Sequence, residues 1–219
     1  MRRCIKSKYY QQGGNDMKGI KLEKTALVIV DLQNDFVRVG AAMEVKSARD
    51  TIKTNQKLIA FARQHKIPVI YTKFITGPEK TLIWNWSPEI AEANACRRHH
   101  KRYYPDVDKT LDCTDIVDEL YPAQEDYIVE KYGYSAFRNT NLIDVLYSLG
   151  KDTIIVTGTV TQICVEDTVH EAFHHNLNVI VASDAVSSFS DELQEAALKN
   201  IDMKYGSVMN SEEIMEKLK

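Results

Sequence analysis

TIIVTGTVTQICVEDT, residues 153–168, joins a short apolar run to a helix-like sequence. Residues 153–157 are β-branched and apolar, which predicts a buried strand, and residues 162–175 predict a helix. Cys164 therefore lies where a strand passes into a helix, a position that faces the crevice at the carboxyl ends of the strands in an open α/β sheet. The unpaired N–H groups at a helix N-terminus favour a thiolate and an oxyanion. From this stretch alone, Cys164 is either a nucleophile or a buried structural cysteine.

The overall composition sets limits on what the chain binds. Its 219 residues fit one ordinary α/β domain, although two small ones are not excluded by length. A net charge of −3 gives no electrostatic footprint for nucleic acid, and no apolar run approaches the roughly 20 residues of a membrane span. Cys4, Cys96, Cys113 and Cys164 show no Cys-x-x-Cys spacing, which indicates a reducing setting. We therefore expect a cytoplasmic protein with neither nucleic acid nor a membrane as partner.

Strand and helix patterns alternate through most of the chain. Residues 26–30 are continuously apolar, as is typical of a central parallel strand covered on both faces. Alternation of this kind builds βαβ units, so we predict an α/β fold with a mostly parallel sheet. Residues 1–17 are polar and contain adjacent glycines, which predicts a loose tail before a single domain at 18–219. The predicted strands are 26–30, 69–72, 126–130, 153–157, 179–182 and 204–209, and the predicted helices are 47–65, 141–149, 162–175, 191–200 and a segment from 211.

One long segment, residues 74–121, has no regular periodicity. Such segments are usually functional lids or disordered regions, and the aromatic residues here favour an ordered lid or an interface. Its basic cluster, from Arg97 to Arg102, would suit recognition of a substrate carboxylate because arginine matches that geometry. The alternative is a solvated basic loop balanced by Asp106 and Asp108.

An acid, a cation and a thiol follow three of the predicted strands. Asp31, Lys131 and Cys164 each come directly after a buried run, so a parallel sheet would bring them to one edge. Asp31 would accept the thiol proton and later deliver it to a leaving nitrogen, and Lys131 would favour the reactive thiolate. Backbone N–H groups at the start of the helix would stabilise an oxyanion. Singly, each residue also has a structural explanation, as a turn former, a surface charge and a core cysteine.

Three motifs in this order carry a family resemblance. They are VIVDLQNDF at residues 28–36, EKYGYSAF at 130–137 and GTVTQICV at 158–165. Together they strongly resemble the isochorismatase-like cysteine hydrolase family, and the resemblance covers the chain from about residue 21 to its end. It implies a three-layer αβα sandwich around a six-stranded, mostly parallel, Rossmann-like sheet.

The resemblance also implies roles for individual residues. Cys164 would be the nucleophile, Asp31 the proton shuttle and Lys131 the supporting charge. A non-proline cis peptide would lie between Val160 and Thr161 and would direct the Thr161 and Cys164 amides at the oxyanion. Relatives of this kind usually form oligomers, so a homodimer or homotetramer is implied.

The branch of the family follows from what the motifs contain. Nicotinamidases of the family resemble one another in an Asp-x-His metal pair after the second strand, where this chain has residues 72–76, TKFIT. The adjacent His99 and His100 point in divergent directions, so we expect neither a metal nor a cofactor. The vinyl-ether-cleaving isochorismatases need not retain the cysteine, which this chain has.

We therefore expect a metal-independent cysteine hydrolase that cleaves a small amide, ureido or carbamoyl C–N bond through a thioester. Vinyl-ether hydrolysis and nicotinamidase-like activity are the alternatives, and a nucleotide-binding module or a non-catalytic scaffold are further ones. The first strand is followed by no Gly-x-Gly-x-x-Gly phosphate cradle. Gln33, Phe36, Tyr134 and Phe137 lie within the motifs, and we expect them to contact the substrate.

Overall fold

A six-stranded parallel sheet forms the centre of the computed structural model, which describes residues 20–77 and 86–218. The strand order is β5-β2-β1-β6-β7-β8, and every neighbouring pair is parallel. A separate hairpin pairs β3 with β4. The strands are β1 Thr25–Val30, β2 Val69–Phe74, β3 Lys101–Tyr104, β4 Lys109–Asp112, β5 Tyr127–Lys131, β6 Thr153–Thr159, β7 Asn178–Ser187 and β8 Ser207–Met209, and the helices are α1 Asn34–Val37, α2 Ala48–Gln64, α3 Pro88–Glu92, α4 Leu142–Ser148, α5 Glu166–His174, α6 Asp191–Lys204 and α7 Ser211–Lys217.

Successive residues of β1 alternate between two separate cores. Leu27 and Ile29 face one side, where they join a core that includes Leu58 of α2 and Ile214 of α7. The alternate residues of β1 face the other side, where the core includes residues of α4, α5 and α6. Because both faces of the strand are covered, its sequence has to be apolar throughout. The predicted three-layer αβα fold with a parallel six-stranded sheet is confirmed.

The order of the strands places a crevice at the centre of the sheet. From β1 the chain moves outward to β2 and β5 on one side, and β6 then returns to the other side of β1. The direction of winding therefore reverses between β1 and β6. In open α/β sheets, ligands bind outside the carboxyl ends of the strands at this reversal.

The segment at residues 75–121 contains more regular structure than its sequence predicts. Within it lie α3, the antiparallel hairpin β3–β4 and a short 3₁₀ turn, Asp118–Leu120. The hairpin strands are short and largely exposed, so no buried face imposes an apolar alternation on their sequence. Residues 78–85 of this segment lie outside the described residues.

Two expectations about the chain as a whole are not tested by this structure. The expected tail, residues 1–17, lies outside the described residues, and the single domain at 18–219 stays a prediction. In the stretches that the structure does describe, no helix combines the length and apolar character needed to cross a membrane.

Candidate active site

Side chains from three strand ends meet at the winding reversal. Asp31 follows β1, Lys131 is the last residue of β5, and Cys164 lies in a π-helical turn, Thr161–Val165, that follows β6. The Lys131 Nζ atom is 2.7 Å from Asp31 Oδ2, and both side chains are fully buried. The Asp31 carboxylate raises the pKa of the Cys164 thiol and the Lys131 ammonium lowers it, so both charged groups lie close to the sulfur. The structure thus brings together the three groups that the sequence places at strand ends.

Thr72, at the end of the intervening strand β2, fixes the Asp31 carboxylate. Its hydroxyl donates to Asp31 Oδ1 at 2.6 Å and accepts the Asp31 backbone N–H at 3.2 Å. Asp31 has a φ of 50°, in the left-handed region that non-glycine residues rarely adopt and that is often found at functional sites. One carboxylate oxygen is therefore held by Thr72 and the other by Lys131. The sequence reasoning missed Thr72, whose only signal is its place between the strands of Asp31 and Lys131.

Lys131 is a buried cation with several fixed partners. Besides Asp31, its ammonium donates to the carbonyl oxygens of Gly133 at 3.1 Å and Tyr134 at 2.9 Å. It also lies over the ring of Phe74, 5.1 Å from the centroid. Burial lowers the pKa of Lys131, but the nearby Asp31 carboxylate and Cys164 raise it by more than burial lowers it. The net shift of the Lys131 pKa is therefore upward. Lys131 therefore remains charged.

The pKa of the Cys164 thiol lies above its ordinary value. Burial raises it to about 12, with Lys131 opposing that shift and Asp31 adding to it. Lys131 thus acts in the expected direction, toward the thiolate, but burial and Asp31 outweigh it and favour the neutral thiol. A neutral thiol needs a base in order to attack, and the neighbouring Asp31 carboxylate is in place to be that base.

Gly158 allows β6 to approach β1 just before the nucleophile turn. Its φ is +108°, and a Cβ atom at this position would lie 2.0 Å from the carbonyl oxygen of Val30, the residue before Asp31. Only glycine fits such a conformation and such a close approach. The geometry of the turn and the position of Asp31 therefore depend on the same residue.

The predicted position of the cis peptide is wrong by one residue. The structure has the cis bond between Thr159 and Val160, not between Val160 and Thr161. The bond joins Thr159, the last residue of β6, to the first residue of the turn. The Val160 carbonyl then accepts the amides of Ile163 and Val165 at 3.0 and 3.1 Å. Thr161 is buried in this turn, and its hydroxyl contacts Gln194 at 3.4 Å.

A cavity of about 390 Å³ opens over Cys164. Two of the four expected substrate contacts, Phe36 and Tyr134, line it. Side chains that the sequence did not single out complete the described lining. The lining comprises Phe36, Ala42, Met43, Glu44, Val45, Phe74, Ser87, Glu89, Ile90, Tyr134, Val160, Ile163, Cys164 and Phe189.

The other two expected substrate contacts, Gln33 and Phe137, do not line this cavity. The Gln33 amide is fully buried, donating to the carbonyls of Phe74 and Thr114 and accepting the Phe74 amide. Phe137 packs in the opposite core, with its ring centroid 5.2 Å from that of His175. Their motif positions reflect packing inside the fold, which a motif match does not separate from substrate contact.

The segment after β1 also holds residues 75–121 in place. Asn34 Nδ2 donates to the carbonyl of Asp112 at 2.9 Å, and the Asp35 amide donates to that of Cys113 at 3.2 Å. Gln33 bonds to Thr114 as described above. Residues 33–35 therefore bind the backbone of residues 112–114, and we call these contacts the clamp.

The buried Asp35 carboxylate extends the clamp to the rest of the segment. Its Oδ1 atom accepts the Tyr104 hydroxyl at 2.8 Å and Arg102 Nε at 2.9 Å, and its Oδ2 accepts the Cys96 amide at 2.8 Å. One carboxylate thus ties the hairpin and the loop after α3 to the strand that carries Asp31.

The basic cluster from Arg97 to Arg102 is used within the fold. Arg98 forms an exposed two-bond pair with Glu130, and Arg102 binds Asp35. These two members are therefore paired with Glu130 and Asp35, not with the expected Asp106 and Asp108. None of its members lines the cavity over Cys164, so the expected role in carboxylate recognition has no support in the geometry. Across residues 20–77 and 86–218, no three His, Cys, Asp or Glu side chains are grouped as metal ligands would be.

The fold and the site together define a hydrolase built on a Rossmann-like parallel sheet. The chain belongs to the isochorismatase domain family, whose sequence profile matches residues 25–213. It is 34% identical over 203 residues to the ureidoacrylate amidohydrolase RutB of Pseudomonas syringae pv. syringae, a match that covers 86% of this chain and 81% of the relative.

Two solved structures are similar along nearly their whole length. A cysteine hydrolase from Pseudomonas syringae pv. phaseolicola is 30% identical with a TM-score of 0.81, covering 91% of this chain and 94% of that one. N-carbamoylsarcosine amidase from Thermoplasma acidophilum is 28% identical with a TM-score of 0.71, covering 86% of this chain and 96% of that one. The predicted family and its amide- and ureido-hydrolysing branch are confirmed.

Proposed function

We propose that this protein is a metal-independent cysteine hydrolase that cleaves a small amide, ureido or carbamoyl C–N bond through a thioester. The observation that carries the proposal is that Cys164 opens onto the cavity while its thiol lies beside the buried Asp31–Lys131 pair. The relatives named ureidoacrylate amidohydrolase and N-carbamoylsarcosine amidase support a linear C–N bond as the point of cleavage.

The first half of the reaction forms the thioester. As the Cys164 sulfur attacks the substrate carbonyl carbon, Asp31 accepts the thiol proton, so the developing charge moves to the carbonyl oxygen. Collapse of this tetrahedral adduct breaks the C–N bond, and Asp31 returns the proton to the leaving nitrogen. Ammonia or an amine departs, and the acyl group stays on the sulfur.

The second half consumes water and restores the thiol. Asp31, again a carboxylate, takes a proton from a water molecule. At the same time the oxygen of that water attacks the thioester carbon. The C–S bond then breaks, the acid is released, and the proton returns to the Cys164 sulfur. Lys131 stays charged throughout and compensates for the negative charge on whichever partner carries it.

The nucleophile turn would supply the oxyanion donors. The amides of Ile163 and Val165 are already bonded to the Val160 carbonyl. The amides of Thr161 and Cys164 are our candidates, at the start of a turn that continues into α5. A well-placed donor of this kind contributes about 3–4 kcal/mol to a transition state.

An ammonia-release assay tests the proposal directly. The panel contains small primary amides, ureido acids and carbamoyl compounds, together with nicotinamide for one alternative activity. Isochorismate, whose vinyl ether contains no nitrogen, is assayed separately by the release of pyruvate. We expect Cys164→Ala and Cys164→Ser to abolish release while retaining the wild-type circular dichroism and melting temperature. Cys113→Ala, at a buried thiol outside the cavity, is the matched control and should stay active. Release by Cys164→Ala at the wild-type rate would exclude a cysteine nucleophile.

Trapping the acyl-enzyme distinguishes a thioester route from other routes of hydrolysis. We expect mass spectrometry of an acid-quenched reaction to find the acyl group on the peptide containing Cys164. Iodoacetamide should modify Cys164 before Cys96 or Cys113, because burial raises the pKa of all three thiols and only Cys164 lines the cavity. A chelator that leaves kcat unchanged would support metal independence, and loss of activity restored by one metal would contradict it.

Oligomeric state and location remain proposals of their own. We propose a homodimer or homotetramer, which light scattering coupled to size-exclusion chromatography would measure. The three cysteines within the described residues are free thiols. A cytoplasmic location is consistent with them, and fractionation of cells would test it.

A further inference from the structure

The described lining of the cavity contains acidic side chains but no basic ones. Apart from Cys164, its walls are aromatic and aliphatic, with hydroxyl groups from Ser87 and Tyr134. The two charged members are Glu44 and Glu89, both carboxylates. Glu89 lies in the first turn of α3 and is exposed. The local charge of the lining is therefore negative.

Three cations of the site and its surroundings are bonded to partners in the protein. Lys131 is bonded to Asp31 and to two backbone carbonyls. Arg49 donates to Glu44 at 2.8 Å and to the Val37 carbonyl at 2.7 Å. Arg102 is held by Asp35 at 2.9 Å. Lys46 is exposed outside the lining and lies close enough to Glu44 to lower the pKa of that carboxyl. The described lining itself therefore offers a substrate carboxylate no cationic side chain.

We propose that this cavity selects substrates whose end remote from the scissile bond is neutral or positively charged, and discriminates against a carboxylate there. The inference deepens the proposed function and rests on it. A carboxylate entering this cavity loses hydration without gaining a counter-ion from the described lining, and it is repelled by Glu89. A neutral chain gains from contact with the aromatic walls, and an ammonium gains from the carboxylate and the ring faces.

Such a preference would distinguish this chain from the relatives whose names state an anionic substrate. Ureidoacrylate, named for the RutB relatives, carries a carboxylate. A shared triad with a different lining would give the same bond cleavage on a different class of substrate. Glu89 is the residue to which we assign the discrimination, because Glu44 is already paired with Arg49.

A matched substrate series tests the selection. It consists of 3-ureidopropionate, butylurea and 3-aminopropylurea, which have similar length and carry a negative, neutral and positive end, together with the corresponding primary amides succinamate, butyramide and 4-aminobutyramide. We expect kcat/KM for the anionic member of a cleaved series to be at least about tenfold below both others, as expected for one unscreened like charge at close range. An anionic member that is cleaved fastest would overturn the inference and leave the proposed function standing. Ammonia from no member of either series, and from no compound of the wider panel, would overturn the proposed function itself.

Charge reversal at Glu89 tests the assigned residue. We expect Glu89→Lys to raise the anionic-to-neutral ratio of kcat/KM by about tenfold, mainly through KM, and Glu89→Gln to have an intermediate effect. Glu92→Lys is the matched control, because Glu92 is exposed on the same short helix and does not line the cavity. It should leave the ratio unchanged within about twofold. Equal changes in both variants, or none in Glu89→Lys, would overturn the assignment to Glu89.

Discussion

The carboxyl edge of the central sheet and the segment at residues 75–121 both reach the same cavity, but different interactions hold them. At the sheet edge, Asp31 and Lys131 follow strands that are fixed by parallel backbone ladders. The strands of the segment, β3 and β4, form a separate hairpin, and the segment is held by the clamp, by the Asp35 carboxylate and by core residues such as Ile116 and Leu120. The reacting groups thus sit at the ends of the central strands, and part of the substrate wall sits on a segment that is attached to the sheet through loop and side-chain contacts.

This difference predicts that mutations in the two regions will have separable effects. A change in the sheet should affect global stability, because the ladders form one cooperative unit. A change in the attachment should loosen the segment and affect binding while leaving the sheet folded. Four substitutions test this separation, in order of decreasing effect on the free energy of unfolding.

Gly158→Ala is expected to be the most damaging substitution. The added Cβ would meet the Val30 carbonyl oxygen at 2.0 Å, and alanine is strained at a φ of +108°. We expect the free energy of unfolding to fall by more than about 4 kcal/mol, or the protein to fail to fold. Urea denaturation measures this. Gly133→Ala is the control, because a Cβ there meets no heavy atom within 4 Å. Equal stability of both variants would contradict the close approach.

Asp35→Asn should loosen the segment without unfolding the sheet. It weakens charged hydrogen bonds to Arg102, Tyr104 and the Cys96 amide. We expect a loss of about 2–3 kcal/mol in stability. Hydrogen exchange should rise in β3 and β4 while β1 and β6 stay protected. Asp118→Asn, at an exposed ion pair, is the control. A uniform rise in exchange would show that the two regions unfold together.

Thr72→Val tests how the sheet positions its base. The substitution removes the hydroxyl that donates to Asp31 Oδ1 while keeping the shape of the side chain. We expect a stability loss of about 1–2 kcal/mol and a fall in kcat of at least about tenfold. Thr72→Ser, which keeps the hydroxyl, should restore the wild-type kcat, and an unchanged kcat in Thr72→Val would reduce Thr72 to a packing role.

Arg98→Ala should have the smallest effect. Arg98 and Glu130 form an ion pair whose side chains are 45% and 38% exposed. Exposed pairs of this kind contribute about 0–1 kcal/mol. We expect Arg98→Ala to lower the free energy of unfolding by no more than this amount. It should leave kcat/KM unchanged, since the basic cluster does not line the cavity. A large rise in KM for anionic substrates alone would restore the cluster as a carboxylate receptor.

The sequence predicts the sheet well because its signals are local. Continuous apolar runs mark buried parallel strands, and the residues that follow them must lie at the sheet edge, which is why Asp31, Lys131 and Cys164 were placed together. The prediction ended β6 two residues too early, at Thr157, and placed the cis peptide one residue too late.

The features of the site that the sequence does not predict depend on contacts between distant parts of the chain. Thr72 becomes relevant only because β2 lies between β1 and β5. Glu89 and Phe189 line the cavity from segments a hundred residues apart, and no local pattern relates them. Gln33 is the opposite case. It is a polar residue inside a site motif, but its described side-chain hydrogen bonds are to backbone atoms of the protein.

The clamp has a consequence for how this scaffold changes. Residues 33–35 bond to main-chain atoms of residues 112–114, whose carbonyl oxygens are present whatever side chains those positions carry. The clamp is therefore largely indifferent to the side chains at residues 112–114, whereas Arg102 and Tyr104 are held through their side chains. Substitutions in that segment can alter which molecules enter while the bond-breaking groups and their support remain as they are. Libraries that vary the loop around α3 and leave residues 31–35 intact are the natural route to new substrates on this fold.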